Sequence, residues 1–345
     1  MKDKYLLLSD GTSPHTLKWV KELSKYFELY LVSLNGMNTS LLEYIEEDKI
    51  YVLNESVKTA GGNFKLLLKY FEIKKIVDEV SPLYVNAHYL SSYGVLAALL
   101  KKSDGKIKLI QSTWGSDVLV TPFENFVKRK IATFALSHAE LITSDSLFMS
   151  DKIDEIYSND MTTTFPFGLE PFEIQETIEK DEYLIFSNRA LLENYNIDKV
   201  VKWFAQLEDK KYRLVIAHNG DMKELLEELI EQYSLENRVE FVGFLTQEEQ
   251  NSFYAKAKYY ISIPSSDSTA VSLLEAMKFG CYPIVSQLSA NREWILDGVN
   301  GSYFTNLLEC PTIRYDVISI NQNIIKEKAI FEKSIESYLE KVKEL

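Results

Sequence analysis

The sequence predicts an α/β protein of two doubly wound halves, and three observations carry that prediction. Short apolar runs alternate with longer amphipathic stretches along the chain, which is the pattern of βαβ units forming a parallel sheet covered on both faces. The alternation pauses once, at Phe165–Lys180, where Pro166, Gly168 and Pro171 precede an acidic run over Glu173–Glu182. The length of 345 residues suits two domains at roughly 150 residues each.

In the first half, strands are expected at Lys4–Ser9, Leu29–Leu34, Leu83–Ala87, Lys108–Ser112 and Leu141–Ser144. Helices are expected between them at Leu17–Tyr26, Lys65–Val80, Tyr93–Lys101 and Val127–Ser137. Leu67, Leu68, Phe71, Ile73 and Ile76–Val77 supply the apolar positions of the second helix. In the second half, strands are expected at Glu182–Ser187, Tyr212–Ala217, Val239–Val242, Tyr259–Ile263 and Tyr282–Val285. Their helices are Ile197–Leu207, Met222–Tyr233, Thr246–Ala257 and Ala270–Phe279. Ile324–Leu345 reads as one charged helix. The expected domains are therefore 1–167 and 182–323, joined by a linker at 168–181 and followed by a terminal helix over 324–345. No sequence repeat relates the halves.

Composition excludes several classes of function. Hydrophobic residues make up 46% and charged residues 26%, enough apolar material for a folded core. The 38 Lys and Arg against 51 Asp and Glu leave a net charge of −13, which argues against coating a nucleic-acid backbone. Cys281 and Cys310 are too few for a disulfide framework and lie in no Cys/His cluster of zinc spacing. The apolar run Tyr5–Leu8 is shorter than a signal-peptide core. No run approaches the 18 apolar residues of a spanning helix, so a cytoplasmic location is expected.

Ligands of doubly wound sheets bind beyond the carboxyl ends of strands, and the chemically informative residues all fall there. The strongest local signal is Pro264–Met277. A strand ends, a polar loop carries Asp267, and a helix opens near Ala270 with Glu275 inside it. Unpaired N–H groups at such a helix start suit a phosphate. An alternative is purely structural, because Ser272-x-x-Glu275 also fits a capping box. There is no Asp-x-Asp, GxGxxG, GxxxxGK[ST] or Gly-x-Ser-x-Gly motif in the chain.

The same segment resembles the acidic-x7-acidic signature of family-4 retaining glycosyltransferases of the GT-B fold. Asp267 stands where the family usually has Glu, and Glu275 holds the second position. The similarity continues through Leu273–Val285, Asn291–Ile295 and Asp297–Gly301. The resemblance implies two Rossmann-like domains facing a central cleft, with the C-terminal helix crossing back to the first domain. It implies a donor site of Arg189, Asn219, Gly220, Phe244, Leu245, Thr269, Ala270, Val271, Ser272, Leu273 and Glu275. Arg189 would bind the donor diphosphate, a task suited to a permanently charged, bidentate donor. The family often places a lysine about six residues later; here that position is near Tyr195.

In the first half the resemblance implies that His88 contacts the donor sugar, and makes Asp267, His88 and Glu275 the catalytic set. A neutral imidazole can donate to a sugar hydroxyl, while a buried, satisfied histidine is the structural alternative. Gly11, Thr12, His15, Trp114 and Asp117 are expected on the acceptor side. Asp117 would accept an acceptor hydroxyl and Trp114 would offer a stacking face; a capping Asp and a core Trp are the alternatives.

The implied reaction moves a hexose or N-acetylhexosamine from a nucleotide sugar, expected to be a UDP-sugar, to a glycan or lipid-linked glycan, with retention of configuration. No metal and no cofactor are expected, in keeping with the missing Asp-x-Asp motif. Surface polysaccharide or glycoconjugate synthesis at the inner membrane face is the expected setting. Lys65, Lys69, Lys74 and Lys75, and Lys128-Arg129-Lys130, are the stretches that could meet anionic lipid. Two other functions stay open: a nucleotide-sugar epimerase on the same fold, and a non-catalytic partner subunit.

Overall fold

The apolar runs become strands wherever helices cover both faces. In the computed structural model, which describes residues 2–54, 68–173, 179–305 and 309–345, the chain divides into two units. One is Met1–Phe165 with Ile335–Leu345, the other Pro166–Ser334.

Among the described residues the first unit holds seven strands: β1 Lys4–Leu8, β2 Glu28–Ser33, β3 Ile50–Val52, β4 Tyr84–His88, β5 Lys108–Ser112, β6 Leu141–Ser144 and β7 Thr162–Thr164. They form one parallel sheet in the order β3-β2-β1-β4-β5-β6-β7. β4 is buried along its whole length, as a central strand of a two-faced sheet must be. The second unit has β8 Asp181–Ser187, β9 Arg213–Ala217, β10 Val239–Gly243, β11 Ala257–Ser262, β12 Tyr282–Val285 and β13 Ser302–Tyr303. Its parallel order is β10-β9-β8-β11-β12-β13. Both units are Rossmann-like, as the alternating pattern predicts.

The strand order reverses between β1 and β4 in one unit and between β8 and β11 in the other. These two points are where a doubly wound sheet opens a crevice at its carboxyl edge. His88 ends β4. Arg189 follows β8, and Asp267 follows β11. The topology thus brings together two residues 78 positions apart.

Some elements differ from expectation. The short strands β3, β7 and β13 have two or three residues each, too few to show a period. The helix expected at Tyr93 begins instead with a π-helical turn over Tyr89–Gly94 and continues as Val95–Ser103. Lys65–Leu67 of the expected 65–80 helix, and 174–178 of the linker, lie outside the described residues; the helix is described as Tyr70–Val80.

The expected single helix over 324–345 is two helices, Val317–Lys328 and Phe331–Glu344. The break has a local cause. Leu169 N–H donates to the Ala329 carbonyl at 2.6 Å, and Phe331 N–H donates to the Leu169 carbonyl at 2.9 Å. This bridge occupies groups that a continuous helix would use. Gly168 permits it, since a Cβ there would lie 2.5 Å from the Ala329 oxygen. The end of the last helix belongs to the first unit, where the buried Tyr338 hydroxyl meets the Tyr5 hydroxyl at 2.5 Å and packs edge-on against Trp19. No described helix is long and apolar enough to cross a membrane.

Candidate functional site

In the second unit the site is assembled around Arg189. Its side chain is only 9% exposed, so its charge needs partners. Nη2 donates to the Asp267 carboxylate at 2.6 Å and Nη1 donates to Ser272 Oγ at 3.0 Å. The Ser272 hydroxyl oxygen also accepts from the buried Tyr260 hydroxyl at 2.7 Å. Burial is the largest single influence on Arg189 and opposes its charge. Asp267, with Tyr260 and Tyr195, outweighs it, and the guanidinium pKa rises above its ordinary value.

The helix Val271–Lys278 starts at Ala270 with no side-chain cap. The capping-box alternative for Ser272 and Glu275 is thereby removed, because Ser272 lies inside the first turn and its hydroxyl serves Arg189 and Tyr260. An uncapped helix start carries partial positive charge on its N–H groups. Leu273 is buried under this turn. Thr269 is pinned by the Trp294 indole N–H, which donates to Oγ1 at 3.3 Å. Glu275 lies one turn further on, half-buried, and accepts from Gln247 Nε2 at 3.0 Å.

The loop after β9 closes on the Arg189 loop. Leu191 N–H donates to the Asn219 carbonyl at 3.1 Å, and Met222 N–H donates to the Leu191 carbonyl at 2.9 Å. Gly220 sits between these bonds with its α-carbon against the Leu191 backbone. His218, at φ 70°, donates its N–H to Gly243. Its pKa is lowered by burial and then by the charge of Arg189. Phe244 is 72% exposed and stands edge-on to the His218 ring. Leu245 packs against the core beneath.

The first unit builds a second cluster. His88 is buried at the end of β4, with Nδ1 3.0 Å from Ser9 Oγ, which in turn meets Thr16 Oγ1 at 2.7 Å. Nε2 is buried with no hydrogen-bond partner among the described residues. Trp114 gathers His15 and His88 at 5.1 Å each and stacks on Tyr89 at 5.8 Å.

Burial, and then the neighbouring His15, lower the His88 pKa to about 3; burial, and then Lys18, lower that of His15 to about 4. A histidine held neutral in the fold binds more protons when unfolded. Its stabilising share is complete above the unfolded pKa of about 6.5 and is lost as pH falls toward 3. Urea unfolding at pH 7 and pH 5 should therefore show a drop in stability, and His88→Gln should shrink that drop. An equal drop in both proteins would contradict the assignment.

The residues expected on the acceptor side also make contacts within the fold. Asp117 is 2% exposed, and its carboxylate accepts backbone N–H bonds from Leu90, Trp114 and Gly115 at 2.9–3.0 Å. Those bonds tie the 114–117 loop to the turn after β4, the structural alternative given for Asp117 above. Gly11 permits a close backbone approach, because a Cβ there would lie 2.6 Å from the Gly36 carbonyl oxygen. Thr12 turns back to Asp10.

Sequence reasoning missed Tyr260, and missed Asn194 and Asn196, which bond the turn around Tyr195 to the 263–266 segment. Polar loop residues carry no periodic signal. The basic stretches hold less free charge than expected. Lys69, Lys74, Lys128 and Arg129 each pair with a carboxylate, and Lys65 lies outside the described residues.

Known proteins share both halves. Residues 4–146 match the family model described as glycosyl transferase 4-like, and residues 170–307 match glycosyl transferases group 1. Two Methanocaldococcus jannaschii proteins named as uncharacterized glycosyltransferases are similar in sequence. MJ1607 is 27% identical over 178 residues, covering 50% of this chain and 46% of the relative. MJ1059 is 22% identical over 288 residues, covering 76% and 68%. The chain thus spans about half the length of the first relative and about two thirds of the second. The crystal structure of Anabaena HepE in complex with UDP-glucose has a TM-score of 0.75 at 15% identity, over 99% of this chain and 100% of that chain. Sucrose-phosphate synthase of Thermosynechococcus elongatus reaches 0.80 at 11% identity, over 99% of each. At such identities the likeness shows the fold.

Proposed function

This chain belongs to the GT-B glycosyltransferases, with a 4-like first half and a group 1 second half, and we propose that it moves a hexose or N-acetylhexosamine from a UDP-sugar to a glycan or lipid-linked glycan with retention of configuration. The observation that carries this reading is the constellation at the β8/β11 switch point. There a buried Arg189 is oriented by Asp267 and Ser272 beside an uncapped helix start. The HepE structures hold UDP and UDP-glucose, which supports uridine as the donor base.

Chemically, the bond from the sugar C1 to the diphosphate breaks while an acceptor oxygen bonds to C1 from the same face. The acceptor proton passes to the leaving phosphate. The developing charge on that phosphate needs fixed positive groups, which Arg189 and the first-turn N–H groups supply. Asp267 then serves the sugar hydroxyls and Glu275 the ribose. His88 offers a neutral Nε2 to the donor sugar, and His15 and Trp114 belong to the acceptor side. No divalent cation takes part, so a chelator should leave the rate unchanged.

Incubation with UDP-hexoses and UDP-N-acetylhexosamines, followed by NMR of the new anomeric centre, tests the proposal. Transfer with the donor's configuration supports it; inverted product or an epimerised nucleotide sugar contradicts it. Asp267→Asn should lower kcat about a hundredfold, a larger factor than the UDP affinity it loses through its weakened bond to Arg189. Equal loss of both would remove Asp267 from the sugar-binding role.

A further inference from the structure

Arg189 is held on three sides, and the third is an aromatic ring. Besides its bonds to Asp267 and Ser272, its guanidinium carbon lies 4.2 Å from the centroid of the Tyr195 ring. At that distance the π face attracts the cation and resists rotation of the guanidinium plane. Tyr195 itself has little freedom. It ends a short 3-10 turn, Glu193–Tyr195, and packs against the core of the second unit.

The residues on either side fix the turn. Asn194 accepts the Ser265 N–H on its carbonyl at 2.8 Å and the Ser266 N–H on Oδ1 at 3.1 Å, and its Nδ2 donates to the Ser266 carbonyl at 2.9 Å. Asn196, at φ 52°, donates from Nδ2 to the Ile263 carbonyl at 2.8 Å and to Ser265 Oγ at 2.9 Å. Asn tolerates this left-handed backbone better than most residues. Five hydrogen bonds therefore tie the Tyr195 turn to the segment that runs into Asp267. The ring and the carboxylate that face Arg189 are parts of one bonded unit.

We infer that Tyr195 is a positioning residue for diphosphate binding: its ring face sets the plane of Arg189, and the Asn194 and Asn196 bonds set the ring. This inference rests on the nucleotide-sugar reading above. Preorganised donors lose less freedom on binding than mobile ones, so the ring acts on affinity for the diphosphate and not for the nucleoside.

The test is calorimetric titration of the full chain with UDP and, separately, with uridine. Tyr195→Phe keeps the ring face; Tyr195→Leu keeps apolar bulk without it. Tyr195→Leu should bind UDP about tenfold more weakly, with uridine affinity within about twofold. Tyr195→Phe should stay within about threefold of the parent for UDP. In an Arg189→Ala background, Tyr195→Leu should add no further loss, because its effect passes through the arginine. Parent-like UDP binding by Tyr195→Leu overturns the inference, as does equal loss in the Phe and Leu variants. Equal loss of UDP and uridine assigns Tyr195 to packing alone and also overturns it. If the parent protein binds none of UDP, GDP or ADP, the nucleotide-sugar reading itself fails, and this inference falls with it.

Discussion

Arg189→Ala is expected to lower turnover by about 10² to 10³ and to weaken UDP binding by about a hundredfold. The turnover estimate follows from removing one preorganised donor at a site of developing charge. The affinity estimate follows from losing hydrogen bonds to a charged group, worth about 1.5–3 kcal/mol each. The loss is compounded by Asp267. Its carboxylate, 23% exposed, would face the diphosphate with no cation between them. Arg189→Lys keeps the charge and loses the planar fork that serves Asp267 and Ser272 together, so it should fall between the parent and the alanine variant. Steady-state kinetics and UDP titration of the three proteins provide the check. Full activity in Arg189→Ala would remove the residue from the donor site.

Gly220→Ala should lower stability by about 2–3 kcal/mol, although it adds one methyl group. The new Cβ would meet the Leu191 carbonyl oxygen well inside contact distance, with the Leu191 carbonyl carbon at 2.7 Å and its Cα at 3.1 Å. Those neighbours are backbone, so no rotamer change relieves the clash, and overpacking of this kind costs about 1–3 kcal/mol. The same shift would stretch the bonds from Leu191 to Asn219 and from Met222 to Leu191. Because Leu191 is two residues from Arg189, UDP affinity should fall as well. Urea unfolding gives the stability change. A variant as stable as the parent would show that the two loops can separate without cost.

The fold was legible because its signal is repeated. Ten runs, among them Lys4–Ser9 and Tyr212–Ala217, each announce a strand without help from distant residues. The candidate site was legible where one local segment carries it, as at Asp267–Glu275, with a loop, a helix start and a carboxylate in sequence. It was not legible where the arrangement depends on which side chains and backbone groups meet in the folded chain. Tyr195 in isolation looks like the loss of a cation, and only the structure shows the ring lying on Arg189. Asp117 looks like a free carboxylate at a strand end, yet three backbone N–H groups engage it. The terminal helix looks continuous because the bridge that interrupts it comes from Leu169, some 160 residues earlier.

The central claim is that the second unit holds a nucleoside diphosphate through Arg189 and the start of the Val271–Lys278 helix. Titration of the parent protein with UDP and with uridine tests it most directly. The account predicts saturable UDP binding, at least about tenfold tighter than uridine, with that advantage abolished by Arg189→Ala. Equal affinity for UDP and uridine, or a UDP advantage that survives Arg189→Ala, would contradict it.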